Sequence, residues 1–79
     1  MKARVTVTLK SGVLDPQGKA IEGALASLGF AGVSGVRQGK IFDIDIESGS
    51  PEAVRKIVGQ ACERLLANTI VENYAIEID

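Results

Sequence analysis

Hydrophobic periodicity is the feature that most constrains how this 79-residue chain can fold. Three segments carry large apolar side chains at every second position: "ARVTVTLK" at residues 3–10, "FDIDIE" at residues 42–47 and "VENYAIEID" at residues 71–79. A period of two places these side chains on one face of an extended chain. The three segments are therefore predicted to be strands with one buried face.

Two other segments repeat their apolar residues every three or four positions, which predicts helices. The first begins at Asp15-Pro16, where the carboxylate can cap free backbone N–H groups and proline suits the first helical position. Gly29 is a residue that commonly terminates a helix in the left-handed conformation. We therefore predict a helix over about residues 16–28.

The second helix is predicted to begin at Ser50-Pro51, by the same capping logic. Asn68 can end it. Its apolar stripe keeps the 3.6-residue period for three turns and consists of Val54, Ile57, Val58, Ala61, Cys62 and Leu65.

A further strand is predicted just before the central alternating segment. Residues 32–48, "GVSGVRQGKIFDIDIES", are consistent with two strands around a turn near Gln38-Gly39. The order is then strand, helix, strand, strand, helix, strand. The simplest fold for this order is α+β: a four-stranded antiparallel sheet with two helices on one face, the βαββαβ arrangement of ferredoxin-like folds. Residues 1–79 would form a single domain.

This topology makes the first strand central and gives the polar sheet face a defined charge pattern. Arg4 and Lys10 would lie between the acidic residues of the two neighbouring strands, where opposite charges stabilise cross-strand pairs. That face is either solvated or part of a subunit interface.

Charge and composition exclude several kinds of partner. A nucleic-acid binder needs a concentration of Lys and Arg to neutralise phosphates. The net charge of this chain is −1, which argues against that function. No apolar run approaches the roughly 18 residues needed to span a bilayer, and the alternating first residues are unlike a signal peptide. A single cysteine fits a reducing compartment. We expect no nucleic-acid or membrane partner and a cytoplasmic location.

The stretch "GVLDPQGKAI" has a superficial likeness to a phosphate-binding loop. A P-loop places four residues between its first glycine and the Gly-Lys pair, followed by Ser or Thr. Here Gly12 and Gly18 enclose five residues, Ala20 replaces the hydroxyl residue, and Pro16 removes a backbone donor. Lys19 is therefore a solvated lysine or a contact for an anion near the helix start.

The sequence offers no catalytic, cofactor-binding or metal-binding constellation. It has no histidine, which excludes histidine-assisted nucleophiles and the usual zinc sites. Cys62 lies on the apolar stripe of the second helix and is predicted to be a buried thiol. Asp43 and Asp45 share an outward strand face, whereas a carboxylate pair that transfers protons needs burial.

Several motifs taken together resemble the PurS family, the small subunit of bacterial and archaeal phosphoribosylformylglycinamidine (FGAM) synthase. They are "LDPQGKA", "VRQGK" and "RLLANTIVENYAIEI", and the likeness covers nearly the whole chain. One departure is Thr69, which follows Asn68 where the family often has proline. It affects how the helix ends.

The resemblance implies a non-catalytic accessory subunit in de novo purine biosynthesis, inactive alone but part of a glutamine-dependent C–N ligase. Such a subunit bridges a PurQ-type glutaminase and a PurL-type ATP-dependent synthetase. It assists ammonia transfer during conversion of formylglycinamide ribonucleotide (FGAR) to FGAM. ATP, Mg and glutamine would be used by the partner subunits, with no cofactor on this chain. The chain would also associate with itself, as a homodimer or higher oligomer.

Residues of the two most specific motifs are predicted to contact the partner subunits, because the core does not need their side chains. A glycine in a first helical turn costs about 1 kcal/mol against alanine, so a close backbone neighbour would explain Gly18. The predicted interface residues are Asp15, Gln17, Gly18, Lys19, Arg37, Gln38 and Lys40.

Two other functions remain open at this point. One is a stand-alone ferredoxin-like regulatory module that binds a small metabolite at a dimer interface, and ligand-dependent melting would reveal it. The other is an oligomerisation domain without a metabolic partner.

Overall fold

Three strands and two helices make up the fold in a computed structural model that describes all 79 residues. An N-terminal strand leads to a helix, and the order then repeats as strand, helix, strand. A π-helical turn, Cys62–Leu66, prolongs the second helix. The elements are β1 (Lys2–Leu9), α1 (Pro16–Ser27), β2 (Gly39–Asp45), α2 (Pro51–Ala61) and β3 (Glu72–Ile78).

The sheet is antiparallel, with strand order β2-β1-β3. The predicted central position of the first strand is therefore confirmed. Arg4 lies opposite Asp43 of β2 and Glu77 of β3. The Arg4 guanidinium donates to the Asp43 carboxylate at 2.8 Å, which raises the pKa of Arg4 and lowers that of Asp43. Lys10 lies beyond the end of β1 and is not part of this charge row.

The predicted four-stranded sheet is wrong, because the strand expected before the turn at Gln38-Gly39 does not form. Residues 31–37 make no backbone–backbone hydrogen bond. Val33 and Val36 are three positions apart, with Ser34 and Gly35 between them, so this segment lacks the period of two that buries one strand face. The chain becomes a strand only at Gly39, and the regular alternation begins at Phe42.

The core lies between one face of the sheet and α2. β1 contributes every second residue, and α2 contributes residues four apart, as one face of each element requires. Cys62 is fully buried, as predicted, and burial raises the pKa of its thiol. The buried core consists of Ala3, Val5, Val7, Val54, Val58, Cys62 and Ala67.

The first helix is confirmed at the expected position but does not pack on the sheet, so the prediction of two helices on one sheet face is wrong for α1. None of its residues belongs to the buried core, and Ile21 and Leu28 on its apolar stripe are 41% and 73% exposed. The molecule extends over 49 Å, and its radius of gyration is 16.0 Å. A compact chain of this length has a radius near 12 Å. We refer to residues 16–36, α1 with the segment that returns from it, as the arm.

Both ends of α1 have the predicted caps. The Asp15 carboxylate accepts the Gly18 N–H at 2.9 Å, and Pro16 is the first helical residue. At the other end Gly29 adopts a φ of +91°. The Phe30 N–H then donates to the Leu25 carbonyl at 3.0 Å, which satisfies an end-of-helix carbonyl.

The second helix departs from its predicted stripe near its C-terminus. The Ala67 N–H donates to the Cys62 carbonyl at 3.0 Å, five residues back, so the last turn is wider than an α-helical turn. This wider turn shifts the helical phase. Leu65, predicted to be in the stripe, is 82% exposed, and Leu66 packs against the core in its place.

Candidate functional site

The predicted interface residues are mostly found at the base of the arm, where Asp15 is the central group. Its side chain is buried, with 5% of the residue exposed. One carboxylate oxygen accepts the Gly18 N–H, and the other accepts the Gln38 N–H at 2.7 Å. Asp15 therefore joins the start of α1 to the start of β2, across 23 residues of sequence.

These contacts lower the pKa of the Asp15 carboxyl from its ordinary value. The hydrogen bond from the Gln38 backbone is the largest cause, followed by the one from Gly18, and the nearby Arg37 cation adds to both. Hydrogen bonds to the charged form favour ionisation. Asp15 is therefore an ionised acceptor at neutral pH and a poor proton donor.

Gly18 has the close backbone neighbour that the sequence predicted, and that neighbour belongs to the same chain. A Cβ atom at Gly18 would lie 2.4 Å from the Val36 carbonyl oxygen and 2.7 Å from the Asp15 carboxylate. No real Cβ tolerates such distances without movement of its neighbours. Glycine is therefore required for the two ends of the arm to meet.

Arg37 fixes the loop between β1 and α1. Its guanidinium donates to three backbone carbonyls, those of Leu9, Lys10 and Val13, at 3.3, 3.2 and 3.1 Å. Leu9 is the last residue of β1, and the Lys10 carbonyl also accepts the Val13 N–H within the loop. Arg37 therefore ties the end of β1 to the loop that leads to α1.

The remaining predicted residues are more exposed. The Gln38 side-chain amide donates to the Gln17 amide oxygen, which adds a second link across the arm base. Lys40 lies 3.8 Å from the Glu72 carboxylate of β3. Lys19 is apart from this group and forms an ion pair with Glu22 on its own helix at 3.6 Å. The structure thus brings together all the predicted residues except Lys19.

Asp15, Gly18, Arg37 and Gln38 have structural tasks within the chain, and we call these four residues the arm base. The polar groups of the arm base are used within the chain. The other predicted residues, Gln17, Lys19 and Lys40, therefore offer the freer side chains for a partner. The arrangement is suited to holding a projecting segment rigidly. Whether any of the seven contacts a partner subunit stays a prediction.

Sequence reasoning missed a second feature, a set of exposed apolar side chains on the arm and on α2. The most exposed of them are Leu28 (73%) and Phe30 (58%) on the arm, and Ile57 (50%) and Leu65 (82%) along α2. Periodicity places Leu28, Ile57 and Leu65 on apolar helix stripes and therefore predicts that they are buried. Leu28 is exposed because α1 lies away from the sheet, and Leu65 is exposed because the π-helical turn shifts the helical phase.

The structure holds no group of three or more His, Cys, Asp or Glu side chains placed to bind a metal ion. Neither helix has the length and apolar character that crossing a membrane would demand.

Comparison with known proteins identifies close relatives over nearly the full chain. The family model described as PurS, phosphoribosylformylglycinamidine (FGAM) synthase, matches residues 2–79. The phosphoribosylformylglycinamidine synthase subunit PurS of Bacillus subtilis is 44% identical over 78 residues, which span 99% of this chain and 92% of the relative.

Solved structures agree with this sequence match. The crystal structure of Methanocaldococcus jannaschii PurS superposes with a TM-score of 0.90 at 40% identity, over 99% of this chain and 94% of that chain. It is described as one of the subunits of formylglycinamide ribonucleotide amidotransferase in the purine biosynthetic pathway. A chain in the structure of PurLQS from Thermotoga maritima superposes with a TM-score of 0.88 at 36% identity, over 96% of this chain and 93% of that chain.

Proposed function

This chain belongs to the PurS family of phosphoribosylformylglycinamidine synthase subunits, and we propose that it is the non-catalytic subunit joining a PurL-type synthetase to a PurQ-type glutaminase. The PurLQS structure from Thermotoga maritima, which contains a chain similar to this one, supports these partners. The reaction served is the conversion of FGAR to FGAM in purine biosynthesis.

The observation that carries the docking role is the rigidly based arm. A helix that projects from its own core loses burial, and a chain this small has little stability to spare. Leu28 and Phe30 nevertheless stay exposed while the arm base holds the segment in place. Exposed apolar side chains on a fixed segment are typical of a surface that another chain covers.

A second copy of this chain is our proposed cover for the arm, with the larger subunits bound to the resulting oligomer. On the core face of β2, Phe42 and Ile44 are only partly buried, and so is Ile46 just beyond the end of the strand. The stripe of Ile57 and Leu65 on α2 is also exposed. A ferredoxin-like fold would place a helix between these two surfaces. Two copies that exchange arms would each supply that helix to the other, which is a common route to a two-fold dimer.

The benefit of such a subunit is physical proximity of two reactions. Holding an ammonia source and an ammonia consumer in one assembly makes the transfer nearly intramolecular. Closed contacts would also limit the loss of ammonia to water. In this proposal ATP, Mg and glutamine are used by the partner subunits, and all three proteins are in the cytoplasm.

The proposal is tested by reconstitution with the PurL-type and PurQ-type proteins of the same organism. We expect glutamine-dependent FGAM formation to require this chain, and ammonia-dependent formation by the synthetase to proceed without it. Co-elution of all three polypeptides in size-exclusion chromatography is the binding measurement. Equal glutamine-dependent rates with and without the chain would refute the bridging role.

A pair of matched variants tests the arm. Phe30→Ser removes an apolar side chain from the arm, whereas Ile70→Ser removes an exposed one from the turn before β3. We expect Phe30→Ser to lower the self-associated mass and the recovery of partners, with Ile70→Ser close to the native chain. If Ile70→Ser lowered self-association and partner recovery and Phe30→Ser did not, the interface would not lie on the arm.

A further inference from the structure

A cleft at the end of the sheet, lined partly by the arm base, provides a candidate site for a small molecule. It has a volume of about 340 Å³ and lies between the first turn of α1 and the ends of the strands nearest to it. Its apolar wall and polar rim are formed mainly by Val7, Leu9, Gln17, Gln38, Lys40 and Glu72.

Two opposite charges occupy the core face of the sheet at this cleft. Lys40 lies directly across from buried Val7, and Glu72 lies across from Leu9. Cross-strand partners share a face, so both charges interrupt the apolar phase of their strands. The Glu72 side chain is 14% exposed and loses most of its hydration there, whereas the Lys40 side chain stays largely exposed. Glu72 also serves the fold by accepting a backbone N–H, but the Lys40 side chain has no partner other than Glu72.

The two charges are only loosely paired. The Lys40 ammonium is 3.8 Å from one Glu72 oxygen, whereas the Arg4–Asp43 pair on the opposite sheet face is closed at 2.8 Å. The other Glu72 oxygen accepts the Asn68 N–H at 2.7 Å, which fixes the carboxylate. The Lys40 side chain is 62% exposed and keeps donors for another acceptor.

We propose that this cleft binds a free α-amino acid with a side-chain carboxamide, which goes beyond the bridging function. An α-amino acid carries an ammonium and a carboxylate on one carbon atom, in reach of Glu72 and Lys40 respectively. The Gln17 and Gln38 amides, already hydrogen-bonded to each other, supply a donor and an acceptor for the carboxamide. Val7 and Leu9 face its methylene groups.

The size of the cleft selects this class of ligand. Small-molecule sites range from about 300 to 1,000 Å³, so this cleft is at the small end. A nucleotide would also require a concentration of cations, and Lys40 is the only cationic residue in the lining. Asp15 also lines the cleft, but both of its carboxylate oxygens accept backbone N–H groups, so Lys40 and Glu72 are the charges left for a ligand. A small zwitterion matches this volume and these two charges.

The test is a titration of the ¹⁵N-labelled full chain, in its native oligomeric state, with L-glutamine as the probe. We expect saturable shifts of the Gln38, Gly39 and Glu72 amide signals. Lys40→Met and Glu72→Gln should each weaken binding at least about tenfold, equivalent to about 1.4 kcal/mol. Glu72→Gln retains an oxygen that can accept the Asn68 N–H, so the local fold is kept. Lys56→Met on α2 is the control, and we expect it to bind L-glutamine like the native chain.

A probe without the charges completes the design. N-acetyl-L-glutamine amide keeps the carboxamide but lacks the free ammonium and carboxylate, and we expect it not to bind. Equal binding of this probe, or unchanged binding by Lys40→Met, would overturn the proposal. A weak site with a dissociation constant of about 1 mM, or about 4 kcal/mol of binding free energy, is close to saturation at about 10 mM ligand. Failure of L-glutamine to saturate the signals at about 10 mM would therefore also overturn the proposal.

Discussion

Replacement of Gly18 by alanine tests whether the arm base holds the arm in place. The new Cβ atom would lie 2.4 Å from the Val36 carbonyl oxygen, against about 3.4 Å for an ordinary contact, so the two must separate by about 1 Å. Overpacking of this kind costs about 1–3 kcal/mol. Displacement of the nearby Asp15 carboxylate weakens its hydrogen bond to Gln38 and adds about 1 kcal/mol. Alanine returns at most about 1 kcal/mol through helix propensity, so we expect a net loss of about 1–3 kcal/mol.

The matched control is Gly23→Ala in the same helix. A Cβ atom at Gly23 meets nothing within 4 Å, so only the propensity gain of up to about 1 kcal/mol remains. Thermal unfolding followed by far-UV circular dichroism, at one protein concentration, compares the two variants. Each kcal/mol shifts the midpoint of a domain this size by about 4–8 °C. If Gly18→Ala melts as high as Gly23→Ala, the close approach of Val36 is not a constraint and the reasoning fails.

Three further measurements test other parts of the fold. Since the folded-state pKa of Asp15 is lowered from 3.8, its contribution to stability is complete above about pH 4 and is lost as pH falls through the folded-state value. Acid titration of Asp15→Asn should therefore show a flatter loss of stability than that of Asp45→Asn, the control at an exposed position. The Cys62 thiol is fully buried with a raised pKa, so Ellman's reagent should label it only at the rate of unfolding, and rapid labelling of the native protein would contradict its burial. In urea unfolding, Val58→Ala should lose about 2 kcal/mol because Val58 is buried in the core. Ile70→Ala, at an exposed position in the turn before β3, should stay within about 0.5 kcal/mol, and equal losses would contradict the burial of Val58.

Local patterns predicted the elements whose causes are local. Alternation over residues 3–10 and 71–79 identified β1 and β3, because each strand has one buried face. Asp15 and Gly29 marked the ends of α1, because capping depends on groups within a few residues of the helix end. The central position of β1 followed from topology, since a βαββαβ order leaves few connections that pack well.

The two errors in the arrangement of the fold concern elements whose position depends on distant residues. The stripe of Ile21, Leu25 and Leu28 has the same period whether the helix packs on its own sheet or projects from it. Residues 32–37 are predicted to form a strand because a β-hairpin is the usual use of a turn at Gln38-Gly39. Both assignments assumed that a 79-residue chain buries its apolar residues by itself. An exposed arm violates that assumption, and no spacing in the sequence reveals it.

Comparing the sequence-based predictions with the structure also separates structural roles from docking roles at the candidate site. The motif residues are predicted to contact partner subunits because the core does not need their side chains. In the structure, however, Asp15 and Arg37 hold backbone groups of the arm base. Their polar groups bind backbone groups on both sides of the arm, so we expect loss of either group to change where the arm points. A partner that binds the arm would therefore sense these substitutions without touching the residues. Binding data on Asp15 or Arg37 variants have to be read together with the Phe30→Ser result, which leaves the arm base intact and changes only the covered surface.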